Sequence, residues 1–273
     1  MRGTPSVTAI SEETRKHLEH EFPVAVGKVE VIPNCVDLAF GRNRSFRRNR
    51  TGRPRVLQVG TGPNKNLELV AAAASGLPMH LRIIGPLGNE QRAFLRSLDL
   101  DWTSAEQLSM EELITEYKNS DALVFATTYE GFGLPIAEAQ AIGLPVITSK
   151  MAPMTDTAGS AALFVDPYDE RDIRAALKQL IYSPDLASRL SDLGMSNAER
   201  FDAKVVADKY ADLYARILDE LSLLPRCLFS GRGRDSSAWP SRTQGGHSVT
   251  LALRPILPGV AWLRATPPPS ALR

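Results

Sequence analysis

The stretch EGFGLPIAE, residues 130–138, concentrates chemistry in nine positions. Two carboxylates, Glu130 and Glu138, bracket Gly131, Phe132, Gly133, Leu134 and Pro135. Gly131 and Gly133 leave the turn without side chains, so a ligand can reach the backbone N–H groups. Pro135 suits the first position of a helix. A helix starting there points unpaired N–H groups and its positive dipole end out of the turn, which makes an anion site from backbone alone. Glu138, one turn into that helix, can point back toward the same crevice. Carboxylates do a different job from the backbone: they accept hydrogen bonds from hydroxyls, and a sugar or ribose diol offers two. A diphosphate flanked by hydroxyl-rich rings satisfies every part of the stretch, and a nucleotide sugar is such a ligand.

A second loop, VGTGPNKNLELV at 59–70, points the same way. Gly60 and Gly62 make a tight turn, and Lys65 stands where the next helix begins. A lysine there is a point charge for phosphate oxygens, through charge-assisted hydrogen bonds of roughly 1.5–3 kcal/mol each. Two rivals fit poorly. A dinucleotide fingerprint needs a third glycine where Lys65 stands and an acid after the next strand, which ends at Gly85 instead. A Walker loop needs Gly-Lys-Ser/Thr, which the loop lacks.

The elements that must position these residues alternate. RVLQVG reads as a buried strand and NLELVAAAASGL as a helix ended by Gly76. MHLRIIG is a strand, NEQRAFLRSL a helix, and SMEELITEYKNS a helix with Ser109 as N-cap and Glu112 completing a capping box. DALVFAT, LPVITS and AALFV read as strands, and PIAEAQAIG as a helix. Closing helices are predicted over 169–182, 184–200 and 202–223. Upstream, Ser11 caps a helix in SEETRKHLEHEF, and KVEVI (28–32) alternates like a short strand. This order predicts an α/β fold: a single Rossmann-like parallel sheet with helices on both faces, binding ligands beyond its carboxyl ends.

Composition bounds the rest. The 273 residues carry a net charge of +1 and 43% apolar residues, enough for a large core and no sign of nucleic-acid binding. Charge is uneven. Residues 1–224 hold 25 Lys and Arg against 30 Asp and Glu, while 225–273 hold seven Arg and one acid, Asp235. The proline-rich 225–273 tail is expected to be disordered. The basic loop 41–55 reads as a solvated linker, with contact to an anionic membrane surface as the other reading. Two cysteines, Cys35 and Cys227, suit a reducing compartment, and no apolar run reaches a membrane span. The expectation is a cytoplasmic protein, with peripheral membrane contact left open.

Taken together, VGTGPNKNL, LRIIG, EELITEYKNSDALVF, YEGFGLPIAEAQAIGLPVITS and AALFVDPYD resemble the donor-binding half of a retaining GT-B glycosyltransferase of family 4, also called "glycosyl transferases group 1". The similarity spans 55–224. VTAISEETRK and VEVIPNCVD resemble the end of that family's first domain and its linker. The resemblance implies that Glu138 binds the donor ribose and that Glu130, as the catalytic-centre carboxylate, holds the transferred sugar. Gly131, Phe132, Gly133 and Leu134 would meet sugar hydroxyls and diphosphate through backbone. Lys65, in the turn made by Gly60 and Gly62, would neutralise the leaving diphosphate, and Leu108 would lie near the base. It implies transfer with retention, no cofactor and no metal. It divides the chain into an acceptor-domain remnant and linker (1–37), a donor domain with closing helices (38–224) and the tail (225–273).

Three departures qualify the resemblance. Thr61 and Asn64 occupy places where the family usually has an Arg near the Lys. SKMAPMTDTAGSAA carries Met154, Thr155 and Asp156 where a Pro-Glu pair is common. Little of an acceptor domain is present, and no histidine suits its catalytic role; His17 and His20 look helical and exposed, and His80 looks packed in a strand. The closing-helix stripe Val205, Val206, Tyr210, Leu213, Tyr214 and Ile217 is therefore expected to be partly uncovered, suiting a core contact, a partner chain or self-association. The functional alternatives are a glycosyltransferase that makes saccharide or cell-envelope polysaccharide, a truncated and inactive nucleotide-sugar binding module needing a separate acceptor domain, or another sheet enzyme such as a sugar-nucleotide epimerase.

Overall fold

The structure, a computed structural model, describes residues 6–41 and 52–223, with side chains to Glu220. Most of the basic loop and all of the 225–273 tail, including Cys227 and His247, lie outside the described residues.

A small parallel pair, β1 (Val7–Ala9) and β2 (Val29–Val31), is joined through α1 (Glu12–Glu21). Ser11 caps α1 by accepting the Thr14 N–H at 3.0 Å. The short helix α2 (Leu38–Gly41) follows. The main sheet holds β3 (Arg55–Val59), β4 (His80–Ile84), β5 (Asp101–Ala105), β6 (Ala122–Phe125), β7 (Val146–Ser149) and β8 (Leu163–Val165). Among the described residues its order is β5-β4-β3-β6-β7-β8, with every pairing parallel. Crossovers run through α3 (Leu67–Ala74), α4 (Asn89–Ser97), α5 (Met110–Lys118), α6 (Leu134–Ile142) and α7 (Met154–Ala158). Then α8 (Glu170–Tyr182), α9 (Pro184–Ala198) and α10 (Ala203–Leu223) close the chain.

Strand side chains alternate between two apolar layers, as the pleat requires. Val56, Leu81, Ile83, Val124 and Ile147 face one layer with α3 and α8 residues such as Val70, Ile173 and Leu177. Leu57, Leu123, Phe125 and Val146 face the other, with Tyr117 of α5 and Ile136 and Ala139 of α6. Burial on both faces explains the continuous Val/Ile/Leu runs of β6 and β7.

The α/β reading holds, and so do the strands and helices predicted around the motifs. Four elements escape the sequence pattern. β5 is an edge strand, DWTSA, whose Asp101 and Thr103 are exposed, so it lacks the apolar run that marks its neighbours. β1, α2 and α7 are only three, four and five residues long, below the length at which periodicity is visible. The closing stripe is partly covered and partly exposed, as expected. Val206 and Leu213 of α10 are buried against Ile32, with Tyr210 and Ile217 packed beside them. Arg216 adds a two-pronged contact to Glu30 at 2.7 and 2.6 Å. Of the predicted stripe, Val205 and Tyr214 stay exposed.

Candidate active site

The sheet order places a switch point between β3 and β6. From β3 the chain moves outward through β4 and β5, then returns to pair β6 on the other side of β3. Open parallel sheets bind ligands beyond the carboxyl ends of their strands at such a switch point, and here the loops leaving β3 and β6 meet. They are the two motif loops, 60–66 and 126–133.

Each loop is fixed by the other. The Asn64 carbonyl accepts the Thr128 N–H at 2.9 Å, and the Asn64 amide donates to the Tyr129 carbonyl at 2.9 Å. Asn66, in a left-handed conformation at φ 58°, donates to the carbonyls of Ala126 at 3.0 Å and Pro167 at 2.6 Å. Gln58 donates to the Lys65 carbonyl at 2.9 Å. Asn64, one of the two residues standing where the family often has arginine, is thus a clasp between loops. Thr61, the other, donates to the Pro86 carbonyl at 2.5 Å.

Within this frame Lys65 Nζ meets Glu130 Oε1 at 2.5 Å, with the Asn64 amide 3.4 Å from the same oxygen. The Phe125 ring lies 4.9 Å from Nζ. The lysine stem crosses directly over Gly60, whose φ is +91°; a Cβ there would stand 2.8 Å from Lys65 Cγ. Only glycine lets the lysine take this path. Gly62 opens the single turn that carries Lys65.

Past Glu130 the chain turns into α6. Gly133 sits in the left-handed region at φ +89°, Leu134 opens the helix, and Pro135 falls in its first two positions. Among the described residues no protein acceptor is paired with the N–H groups of Gly131, Phe132, Gly133 or Leu134. The carbonyls are pinned instead: Thr157 of α7 donates to Phe132 O at 2.5 Å, and Thr14 of α1 donates to Gly131 O at 3.3 Å. The Phe132 side chain is buried edge-on against Phe201, 5.3 Å between centroids. Carbonyls held inward leave the turn's donors for an anion.

Glu138 lies deeper than its spacing suggests, at 8% exposure. Its Oε2 accepts from the Tyr117 hydroxyl at 2.6 Å. Burial pushes the Glu138 carboxyl above the usual range, the Tyr117 hydrogen bond opposes that, and the Asp37 charge adds to it. Burial likewise drives the Tyr117 phenol well up, helped by Glu138, so it acts as a donor and not a base. Glu130 and Glu138 therefore hold separate partners. Leu108 is half-buried against the apolar layer that contains Tyr117, one residue ahead of the Ser109 cap. His80 bonds Thr103 at 2.8 Å and lies 3.2 Å from Asp101, so it is tied to the edge strand.

Sequence reasoning missed Gln58, Asn66, Tyr117 and Thr157. Tyr117 alone left a signal, standing one helical turn after the buried Ile114 on the apolar side of its helix.

Residues 41–195 match the family described as "Glycosyl transferases group 1". The chain belongs to that family. Similar curated proteins include the MMP alpha-(1->4)-mannosyltransferase of Mycolicibacterium hassiacum, 27% identical over 232 residues, covering 80% of this chain and 55% of that protein. The O-antigen chain mannosyltransferase B of Escherichia coli is 29% identical over 165 residues, 54% of this chain and 42% of that one. The chain spans about half the length of the curated relatives it matches. In fold it resembles the sucrose-phosphate synthase of Thermosynechococcus elongatus, with a TM-score of 0.68 at 22% identity over 79% of this chain and 59% of that one. No helix among the described residues is long and apolar enough to cross a membrane.

Proposed function

We propose that this chain is the nucleotide-sugar-binding half of a retaining glycosyltransferase acting in saccharide or cell-envelope polysaccharide synthesis. One observation carries the reading: Lys65 and Glu130, from loops on two adjacent strands, meet at the switch point beside the unpaired N–H groups of the turn into α6. A cation and a helix start suit a diphosphate, and a carboxylate between them suits the hydroxyls of the sugar it carries.

In this reading Lys65 and the 131–134 backbone take the negative charge that grows on the diphosphate as the bond from the anomeric carbon to phosphate oxygen breaks. That oxygen keeps the electron pair. The acceptor oxygen bonds to the same face of the carbon and loses its proton. Glu130 holds the sugar's hydroxyls, Glu138 the ribose, and Leu108 borders the base. Lys65 supplies the charge that a metal would otherwise provide. The acceptor is bound by a separate half of the two-domain fold, and the reaction runs in the cytoplasm, where nucleotide sugars are made.

The test is calorimetric titration of the chain with UDP-, GDP-, ADP- and dTDP-sugars, repeated with Lys65→Ala and Glu138→Ala. Two of the similar proteins are mannosyltransferases by name, which puts the mannose-bearing donors of the panel first. Saturable binding weakened by both substitutions supports the reading; a folded chain that binds none of them ends it.

A further inference from the structure

We infer that Tyr117 is a positioning residue for Glu138 and makes the site select a ribose over a deoxyribose. The inference rests on the proposed role of Glu138 as the carboxylate that accepts ribose hydroxyls.

Glu138 occupies the fifth position of α6, and helical side chains lean toward the N-terminus, here toward the 130–133 turn. A lone carboxylate in a mostly buried position has two problems: it favours its protonated form, and it can rotate. Tyr117 answers both. Its hydroxyl donates to Oε2 at 2.6 Å, leaving Oε1 without a partner among the described residues. The donor cannot swing away, because Tyr117 is fully buried and its ring stands edge-on to Phe40 at 5.4 Å and 87°. A phenol is a neutral donor across the working pH range, so it stabilises the carboxylate without cancelling its charge. The result is one oxygen fixed and one oxygen offered, in the ionised state that a diol's two O–H donors require.

The charged groups bearing on Glu138 are few. Asp37, just before α2, opposes its ionisation, and Tyr117 of α5 favours it. Removing the phenol hydroxyl leaves Asp37 and burial unopposed. The carboxyl then takes up its proton at a higher pH, and ribose binding fails earlier as pH falls.

The experiment uses the full chain and Tyr117→Phe, which keeps the ring and its contact with Phe40. GDP and UDP are titrated beside their 2′,3′-dideoxy analogues across pH 5 to 8 (~half-unit steps, spanning the range in which a raised carboxyl titrates). The expected result is roughly tenfold weaker binding of the ribonucleotide, as for loss of a hydrogen bond to a charged group. The dideoxy analogue should bind both forms equally, and the acid limb of the ribonucleotide profile should move to higher pH in the variant. In a Glu138→Ala background, Tyr117→Phe should do nothing further. Equal losses for both analogues, or a Tyr117→Phe chain that binds the ribonucleotide as the parent does, overturns the inference. If the unaltered chain binds neither diphosphate, the donor-site reading itself fails and takes the inference with it. If it binds, and Glu138→Ala abolishes its preference for the ribonucleotide over the dideoxy analogue while Tyr117→Phe leaves that preference intact, only the inference fails.

Discussion

Two ion pairs of similar length sit on the same sheet and do different work. At the switch point Lys65 meets Glu130 at 2.5 Å, joining loops beyond the carboxyl ends of β3 and β6. On the sheet face, Glu116 of α5 takes a two-pronged contact from Arg82 of β4 at 2.6 and 3.0 Å, and a further one from Arg55 of β3. The second cluster pins a helix to two strands and lies among ordered elements on every side. The first pair stands beyond the carboxyl ends of the strands, beside the unpaired backbone donors of the turn into α6. Residue type and distance do not separate a structural pair from one proposed to bind ligand. What separates them is whether another anion could take the cation's place.

The comparison can be broken by exchange of symptoms. Glu116→Ala leaves Arg55 and Arg82 facing each other without their carboxylate. Breaking a fully buried pair costs about 3–5 kcal/mol; this one retains some solvent contact, so about 2 kcal/mol is expected, with a melting temperature lower by roughly 4–8 °C for a chain of this size. Nucleotide affinity should hardly change. Lys65→Ala should do the reverse: roughly 30-fold weaker diphosphate binding, by loss of a charge-assisted contact, and a melting temperature within about 2 °C of the parent. If either substitution produced the other's symptom, the division would be wrong.

Three smaller effects sharpen it. Glu130→Gln frees Lys65 from its resident carboxylate. It should therefore strengthen binding of a bare nucleoside diphosphate by about three- to tenfold, while shrinking the gain from an attached sugar, both read by calorimetry. Weaker binding of the bare diphosphate would place Glu130 outside competition for Lys65. The acid response of the structural pair has a fixed sign. Burial alone would raise the Glu116 carboxyl, but Arg82 and Arg55 outweigh it and hold it below the usual range. Its stabilisation is thus present above the unfolded value and is lost as pH falls through the lower folded one. A pH series of melting temperatures should show that loss in the parent and not in Glu116→Gln. Last, Ser109→Ala removes a capping box in which Glu112 returns a bond to the Ser109 N–H at 2.8 Å, and should lower the melting temperature by a few degrees.

Much of this architecture was legible. The strands of the sheet core announce themselves because burial on both faces demands unbroken Val, Ile and Leu. Ser109 and Ser11 mark helix starts through local hydrogen bonds that depend on a few neighbouring residues. The edge strand β5 was not legible, since one side of it needs no apolar residue. Which residues of the α10 stripe are covered was not legible, because the cover, Ile32, is remote in sequence and belongs to a segment that reads as a short isolated strand.

Sequence alone determined the local chemistry: glycines that clear a turn, a proline that starts a helix, a lysine and a carboxylate at loop positions next to strands. These follow from backbone sterics and neighbouring residues, and they survive in any fold that keeps the strand and helix periods. The pairings were decided by tertiary structure. Lys65 finds Glu130 because strand order brings two loops 65 residues apart to one switch point. Glu138, bonded to Tyr117, lies in a buried layer because α6 packs its inner face against β6 and α5, and that low-dielectric setting raises its proton affinity and gives it a partner other than the one Glu130 has.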